Sequence, residues 1–373
     1  MEVIKKEQDE ALLKQSQKNM KIHNFSAGPA ILPDSVIVEA SKAVENYEGK
    51  GLSLLEMSHR SKEVAGFMDE AESLVRQLLN LGDDYAVLFL TGGASSQFFM
   101  APMNLLNENE KGCYIDTGAW SAKAIKEVSN FGHVEVLATS KETTYNYIPK
   151  NWTVPSDAKY LHITSNNTIY GTQFHDIPNT DALLIADMSS EIFSREIDAN
   201  KFDLIYAGAQ KNLGPAGTTL VIVRKEILGQ VQRNIPTMLD YRTHISKNSS
   251  FNTPPVYPIY VCLLTLRWLQ AKGGIKAMEA HNKKKAALLY DEIDRNSFFK
   301  GTAAIEDRSL MNVPFVADNP AHEAAFMEYC TANGVSGIKG HRSVGGFRAS
   351  IYNAMPVSSI EFLVSLMQNF KPE

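Results

Sequence analysis

Lys211 stands in Ala207-Gly-Ala-Gln-Lys-Asn-Leu-Gly-Pro-Ala-Gly217, directly after an apolar run and among glycines and small residues. A lysine on a loop leaving a strand is ordinarily solvated, because its ammonium is expensive to desolvate. The small neighbours favour another reading. They let backbone approach a ligand closely, and a desolvated lysine with a depressed pKa can form a Schiff base with an aldehyde. Upstream, Ala182-Leu-Leu-Ile-Ala-Asp187 places Asp187 at the carboxyl end of an apolar strand, where an acid can cap a helix, bind a metal or face a cationic heterocycle.

Taken together, Asp187 and Lys211, each at a strand end, supply what pyridoxal phosphate requires: an amine for its aldehyde and an anion for its pyridinium nitrogen. A third element, Leu90-Thr-Gly-Gly-Ala-Ser-Ser-Gln97, is a glycine-rich turn from a strand into a helix. Its free backbone N–H groups and the helix dipole suit a phosphate, although such a turn is also an ordinary tight connection. Neither G-x-x-x-x-G-K-[ST] nor G-x-G-x-x-G stands here, which argues against nucleotide cofactors.

These residues need a sheet to carry them. Apolar runs predict strands over Ala86 to Leu90, Gly112 to Asp116, Val134 to Ala138, Tyr160 to Thr164, Ala182 to Asp187, Asp203 to Ala207 and Thr218 to Val223. Helical spacing between them, as at Ala94 to Leu106 and Ser121 to Phe131, gives an α/β chain with a large, doubly wound, mostly parallel seven-stranded sheet. Ligands of such sheets bind at the carboxyl ends of the strands. FNTPPVYP then breaks the pattern, and long helices at Tyr260 to Ala271 and Ile275 to Arg295 lead to a smaller α+β unit. That unit has strands near Asn312 to Val316 and Phe347 to Tyr352, and helices near Ala321 to Ala332 and Ser358 to Phe370. The expected division is a tail at residues 1–19, a leading segment and large domain over 20–250, and a linker, connecting helices and small domain over 251–373, with residues 21–60 packing on both units.

With 373 residues, 44% of them hydrophobic and 21% charged, the chain has the balance of a globular protein. A net charge of −5 gives no global field for a polyanion, so nucleic acid is not an expected partner. No apolar stretch approaches the ~20 residues of a membrane span, and residues 1–19 lack the pattern of a secretory signal. Cys113, Cys262 and Cys330 form no Cys-x-x-Cys pair, which fits a reducing cytoplasm. His162, His175 and His281 lack metal spacing, so no metal is assigned, and Asn282-Lys-Lys-Lys285 reads as a solvated helix face.

Along residues 21–373 the sequence resembles the phosphoserine aminotransferases, class-V members of the fold type I pyridoxal-phosphate enzymes. The resemblance is carried by NFSAGPA at 24–30, SHR at 58–60, GGAS at 92–95, GAWS at 118–121, NNTIYG at 166–171, ADMSS at 186–190, AGAQKNLGPAG at 207–217, FNTPP at 251–255 and GGFRASIYNA at 345–354. It implies that Lys211 is the Schiff-base lysine and Asp187 the pyridinium partner, that Trp120 stacks on the ring, and that Thr168 bonds near the ring hydroxyl. Ala94, Ser95 and Gln210 would hold the phosphate, with Asn252 and Thr253 reaching it from a second subunit, which implies a homodimer with shared sites. Arg348 would take the α-carboxylate. His59, Arg60, His341 and Arg342 would take the substrate phosphate or the distal carboxylate of glutamate. Some family members have an arginine where Ser95 stands, so this chain has one cation fewer.

The implied reaction is transamination of 3-phosphonooxypyruvate with L-glutamate to O-phospho-L-serine and 2-oxoglutarate, in serine and also pyridoxine biosynthesis. The enzyme alternatives are an alanine–glyoxylate transaminase or a cysteine desulfurase. The desulfurase needs an exposed thiol and usually a histidine before its lysine, where this chain has Gln210. A non-catalytic protein on the same fold is countered by the presence of both Lys211 and Asp187.

Overall fold

The structure, a computed structural model, describes residues 22–371, so the expected tail at residues 1–19 lies outside the described residues. Seven strands form the large sheet: β1 (Tyr85–Leu90), β2 (Lys111–Asp116), β3 (His133–Thr139), β4 (Ala158–Thr164), β5 (Leu183–Asp187), β6 (Leu204–Gly208) and β7 (Thr219–Arg224). Each lies within two residues of the span that its apolar run predicts. Their order is β1-β7-β6-β5-β4-β2-β3; β7 runs antiparallel to both of its neighbours, and the other pairs are parallel. The mostly parallel α/β sheet expected from the sequence is therefore present.

Successive side chains of a strand point to opposite faces. Val87, Phe89, Ile115, Ile163 and Ala186 thus enter one core, while Leu88, Tyr114, Ile185 and Tyr206 enter the other. The first core is covered by α1 (Asp34–Glu45), α2 (Lys62–Leu79) and, after the Pro-rich break, a long helix at Val256–Ala271; the second is covered by α3 (Gly93–Leu105) and α4 (Ala119–Val128). Burial on both faces is why the strands other than the exposed edge strand β3 read as continuous apolar runs rather than as alternation. Ser61 caps α2 by accepting the Val64 N–H at 3.3 Å, which leaves His59 and Arg60 on the loop just before the helix.

The helix at Val256–Ala271 (α5) is followed by α6 (Gly274–Arg295), which runs into the smaller unit. There β8 (Phe299–Gly301), β9 (Asn312–Ala317) and β10 (Phe347–Ser350) form an antiparallel sheet, with α7 (His322–Ala332) and α8 (Val357–Asn369) beside it. Phe299, Phe315, Phe326 and Phe347 cluster in its core. The leading segment joins both cores, Phe25 entering the smaller one and Val36, Ala40, Tyr47 and Leu54 the larger.

The expectation for residues 282–285 requires correction. Lys283 and Lys284 are exposed, but Asn282 and Lys285 are fully buried. Both lie on the buried stripe of α6, Ile275, Met278, Asn282, Lys285, Leu289 and Ile293, whose helical phase prevails over the local charge.

Candidate active site

Lys211 lies on the loop that follows β6, and its Nζ donates to Thr168 Oγ1 at 2.6 Å. The loop is tight: the N–H groups of Lys211 and Gly214 both donate to the Ala209 carbonyl, at 2.7 and 2.8 Å. The leading segment crosses over it, with Ala30 N–H donating to Gln210 O at 2.9 Å. A Cβ on Gly28 would stand 3.4 Å from Lys211 Cγ, and φ there is +147°, so glycine suits both the space and the backbone. Burial pulls the Lys211 ammonium down to about 8; Asp187 opposes the shift and Arg348 adds to it.

Asp187 ends β5, in register with Thr164 of β4 and Tyr206 of β6. Its Oδ1 accepts from Ser189 N–H at 2.9 Å and from the Ser189 hydroxyl at 2.6 Å. No helix starts directly after β5, so Asp187 closes a turn rather than capping a helix, and the turn takes only one of its oxygens. Ser189 Oγ also accepts Gly208 N–H at 3.1 Å, which ties the end of β5 to the strand from which the Lys211 loop departs. Burial pushes the Asp187 carboxyl up, against the opposing pulls of Ser189 and Lys211. His162 bonds Tyr206 Oη through Nε2 at 2.7 Å and stacks on Tyr114; burial drives its imidazole down to about 3, so it is neutral filling of the sheet.

Trp120 opens α4. The turn before it is held by Ser121 Oγ, which accepts the N–H groups of Thr117 and Gly118 at 3.0 and 2.9 Å and donates to Asp116 at 2.9 Å. A Cβ on Gly118 would press on the Tyr170 ring at 3.0 Å. The indole packs on Tyr145, Ile169 and Tyr170, as does Val344. Its Nε1 is buried without a partner among the described residues. Lys211 Nζ lies 5.9 Å and Lys123 Nζ 4.3 Å from the Trp120 ring centroid.

Gly92 starts α3 with φ +94°, and a side chain there would collide with Ser96. The first-turn N–H groups, including those of half-buried Ala94 and exposed Ser95, have no helical acceptor, which makes this end an anion seat. Arg348, on β10, donates from Nη1 to Thr168 O at 3.5 Å, while its buried Nε has no partner among the described residues. A guanidinium so desolvated, with its pKa lowered by burial, calls for an anion. His341 and Arg342 form the turn before β10; burial and the charges of Arg348, Arg342 and Lys123 hold the His341 imidazole below its usual value.

Around Lys211 the structure thus gathers Thr168, Trp120, Asp187 and Arg348, with His341 near Arg348; Gln210 and exposed Arg342 accompany them as chain neighbours of Lys211 and His341. It does not bring His59, Arg60 and Thr253 there. His59 and Thr253 line a separate open groove with Leu54, Met57 and Pro254, Arg60 is exposed beside it, and Asn252 lines a hollow with Gly92 and Ser96. Sequence reasoning missed Ser189, although ADMSS contains it, and Lys123, whose only signal is its place one helical turn after Trp120.

The strand order, with its antiparallel β7 and a desolvated lysine on the β6–β7 loop, defines the fold type I class of lysine-dependent transferases. The chain belongs to the aminotransferase class-V family, which it matches over residues 22–363. It is 58% identical over 350 residues to the phosphoserine aminotransferase of Flavobacterium johnsoniae, covering 94% of this chain and 98% of that one. Phosphoserine aminotransferase from Bacillus circulans subsp. alkalophilus superposes with TM-score 0.91 at 44% identity, over 93% of this chain and 98% of that one. PLP-bound phosphoserine aminotransferase from Trichomonas vaginalis does so with TM-score 0.89 at 37% identity, over 94% of this chain and 100% of that one.

Proposed function

We infer that the protein is a pyridoxal 5′-phosphate-dependent phosphoserine aminotransferase, moving the amino group of L-glutamate to 3-phosphonooxypyruvate to give O-phospho-L-serine and 2-oxoglutarate. The observation that carries this reading is the convergence of desolvated Lys211, buried Asp187 and the Arg348 guanidinium, whose buried Nε has no partner among the described residues. The donor set fits the cofactor: an amine of low pKa for the aldehyde, a carboxylate for the ring nitrogen, the Trp120 face for the ring, Thr168 for the ring hydroxyl, and the start of α3 with Ala94, Ser95 and Gln210 for the phosphate.

When bound, pyridoxal phosphate supplies an aldehyde that condenses with amines and an electron-poor ring that takes up the electron pair left at Cα. With that group in place, Lys211 would be the general base that carries the proton between Cα and C4′. Asp187 holds the proton on the ring nitrogen. Arg348 clamps the α-carboxylate with a planar fork, orienting the Cα–H toward Lys211. His341 and Arg342 meet the phosphate of the phosphorylated substrate or the distal carboxylate of glutamate. The serine-biosynthetic reaction and three buried, unpaired cysteines fit the cytoplasm.

The substrate reading is tested by offering phosphoserine, serine, alanine and cysteine as amino donors to 2-oxoglutarate; a donor preference other than phosphoserine overturns it. Replacing Arg60 or Arg342 by Ala should lower kcat/KM for phosphoserine about 10- to 100-fold, each charge-assisted bond being worth ~1.5–3 kcal/mol. Alanine turnover should barely change in those two variants. Arg348→Ala should instead lower every amino acid, because all carry the α-carboxylate. Equal losses for alanine and phosphoserine in the Arg60 and Arg342 variants would make these arginines structural.

His59, Arg60, Asn252 and Thr253 complete this scheme only from a second subunit, and we propose a homodimer with shared sites. Leu52, Leu55, Met238 and Phe251, exposed at 39–62%, lie near these residues in the sequence or beside the hollows that they line. Exposed apolar groups so placed suit a subunit interface. Mixing inactive Lys211→Ala and Thr253→Asp subunits should restore part of the activity. No restoration after proven subunit exchange, or a fully active monomer by sedimentation, would remove the shared site.

The desulfurase alternative has no thiol to use. Cys113, Cys262 and Cys330 are all buried, and burial pushes the Cys113 and Cys330 thiols up to about 11 and 12.

A further inference from the structure

Lys285 has no part in the chemistry above, yet it is fully buried, and its Nζ donates to the backbone carbonyls of Ile351 at 2.8 Å and Tyr352 at 2.6 Å. Those carbonyls belong to residues 348–353, the end of β10 and the short strap that leaves it. Arg348 is at one end. At the other, Asn353 N–H donates to Asn212 Oδ1 at 3.0 Å, and Asn212 adjoins Lys211. In between, the Tyr352 hydroxyl donates to Ala27 O at 2.7 Å, next to the Gly28 that covers the Lys211 stem, and accepts from Asn312 at 3.1 Å. One turn before Lys285 on α6, Asn282 Nδ2 donates to Asn353 Oδ1 at 2.8 Å and to Ser194 O at 2.9 Å.

We propose that Lys285 is a positioning residue: by gathering the carbonyls of Ile351 and Tyr352 it fixes the separation between Arg348, which takes the substrate carboxylate, and Lys211, which works on the adjacent carbon. This rests on the roles of Arg348 and Lys211 given under the proposed function. A methionine or leucine would fill the same space without the desolvation penalty of an amine, so filling alone does not account for lysine here. What an amine adds is direction. It donates along fixed lines to two successive carbonyls: Ile351 O would otherwise be left without its donor in the core, and Tyr352 O, which also accepts the Met355 N–H at 2.9 Å, is drawn toward the same amine. Burial drives the lysine well below its ordinary pKa, and its N–H groups run to both carbonyls.

The test uses Lys285→Met and Lys285→Gln holoenzymes, with cofactor content measured so that rates are per loaded site. Three quantities are read: kcat/KM for phosphoserine and glutamate, the dissociation constant of glutarate by calorimetry, and the thermal midpoint. Lys285→Met should lower kcat/KM by a common factor of about 10 to 100 for both amino acids, since both use the same carboxylate clamp, and should weaken glutarate. Lys285→Gln, which keeps two N–H donors on a shorter stem, should fall between Met and wild type. A lower thermal midpoint with unchanged kcat/KM and glutarate affinity would overturn the proposal, as would a loss confined to one amino acid. If Lys285→Met does not fold, the same readouts on Lys285→Gln decide. Each is a ratio of variant to wild type, so the test stands whichever amino acid the wild type prefers.

Discussion

Lys211→Ala is expected to abolish steady-state turnover, because among the described residues no other amine is placed to make the covalent link to the cofactor and also to carry the proton at Cα. The nearest other lysine in the site, Lys123, lies 4.3 Å from the Trp120 centroid on the outer helix α4 and is exposed. Borohydride reduction followed by peptide mapping should find the cofactor on Lys211 alone; its appearance on another lysine would refute the assignment. A second effect separates function from folding. The folded pKa of about 8 lies below the ordinary 10.5, so between these values the unfolded chain binds more protons and stability rises with pH. Below about pH 8 the cofactor-free protein bears the full penalty of a buried ammonium. Lys211→Met should therefore raise the thermal midpoint of the cofactor-free protein at pH 7 while destroying activity, and the gain should shrink above pH 10. A destabilised Lys211→Met protein would mean that the lysine is structural.

Asp187→Ala should be nearly as damaging. Removing one partner of a buried ion pair costs about 3–5 kcal/mol, or roughly 10²- to 10⁴-fold in rate when the pair is needed in the transition state. Ser189 would lose the acceptor of two of its hydrogen bonds, and with it the tie to Gly208, so the lysine loop would loosen as well. Asp187→Asn keeps the shape and the Ser189 contact but not the charge, and should lose most of the activity. Reconstitution of Asp187→Asn with a cofactor methylated on its ring nitrogen, which keeps its positive charge without help, should return part of it. No gain with the methylated cofactor, or wild-type rates in Asp187→Asn, would show that the carboxylate does not act on the ring nitrogen.

Much of this was legible in the sequence because burial writes itself into composition. Strands covered on both faces, such as β5 and β6, must be apolar throughout, so Asp187 at the end of one and Lys211 just beyond the other stood out against them. Lys285 did not, because two exposed neighbours, Lys283 and Lys284, hid its helical phase; Leu289 and Ile293, on the same stripe, were the signal. Lys123 faces the site through a contact with Trp120 that helical spacing permits but does not require. The separation of His59 and Thr253 from Lys211 is a matter of distance through space across a folded chain, which motif order does not encode.

The antiparallel β7 also sets a timetable for synthesis. Within the sheet β1 pairs only with β7, Leu90 opposite Thr219 and Tyr85 opposite Arg224, so an early-made strand waits for a late-made one. At ~5–20 residues per second the ribosome takes roughly 6 to 26 s to go from Leu90 to Thr219. Throughout it the apolar edge of β1 has no strand partner, and a nascent chain arrested before residue 219 presents that edge to chaperones and proteases.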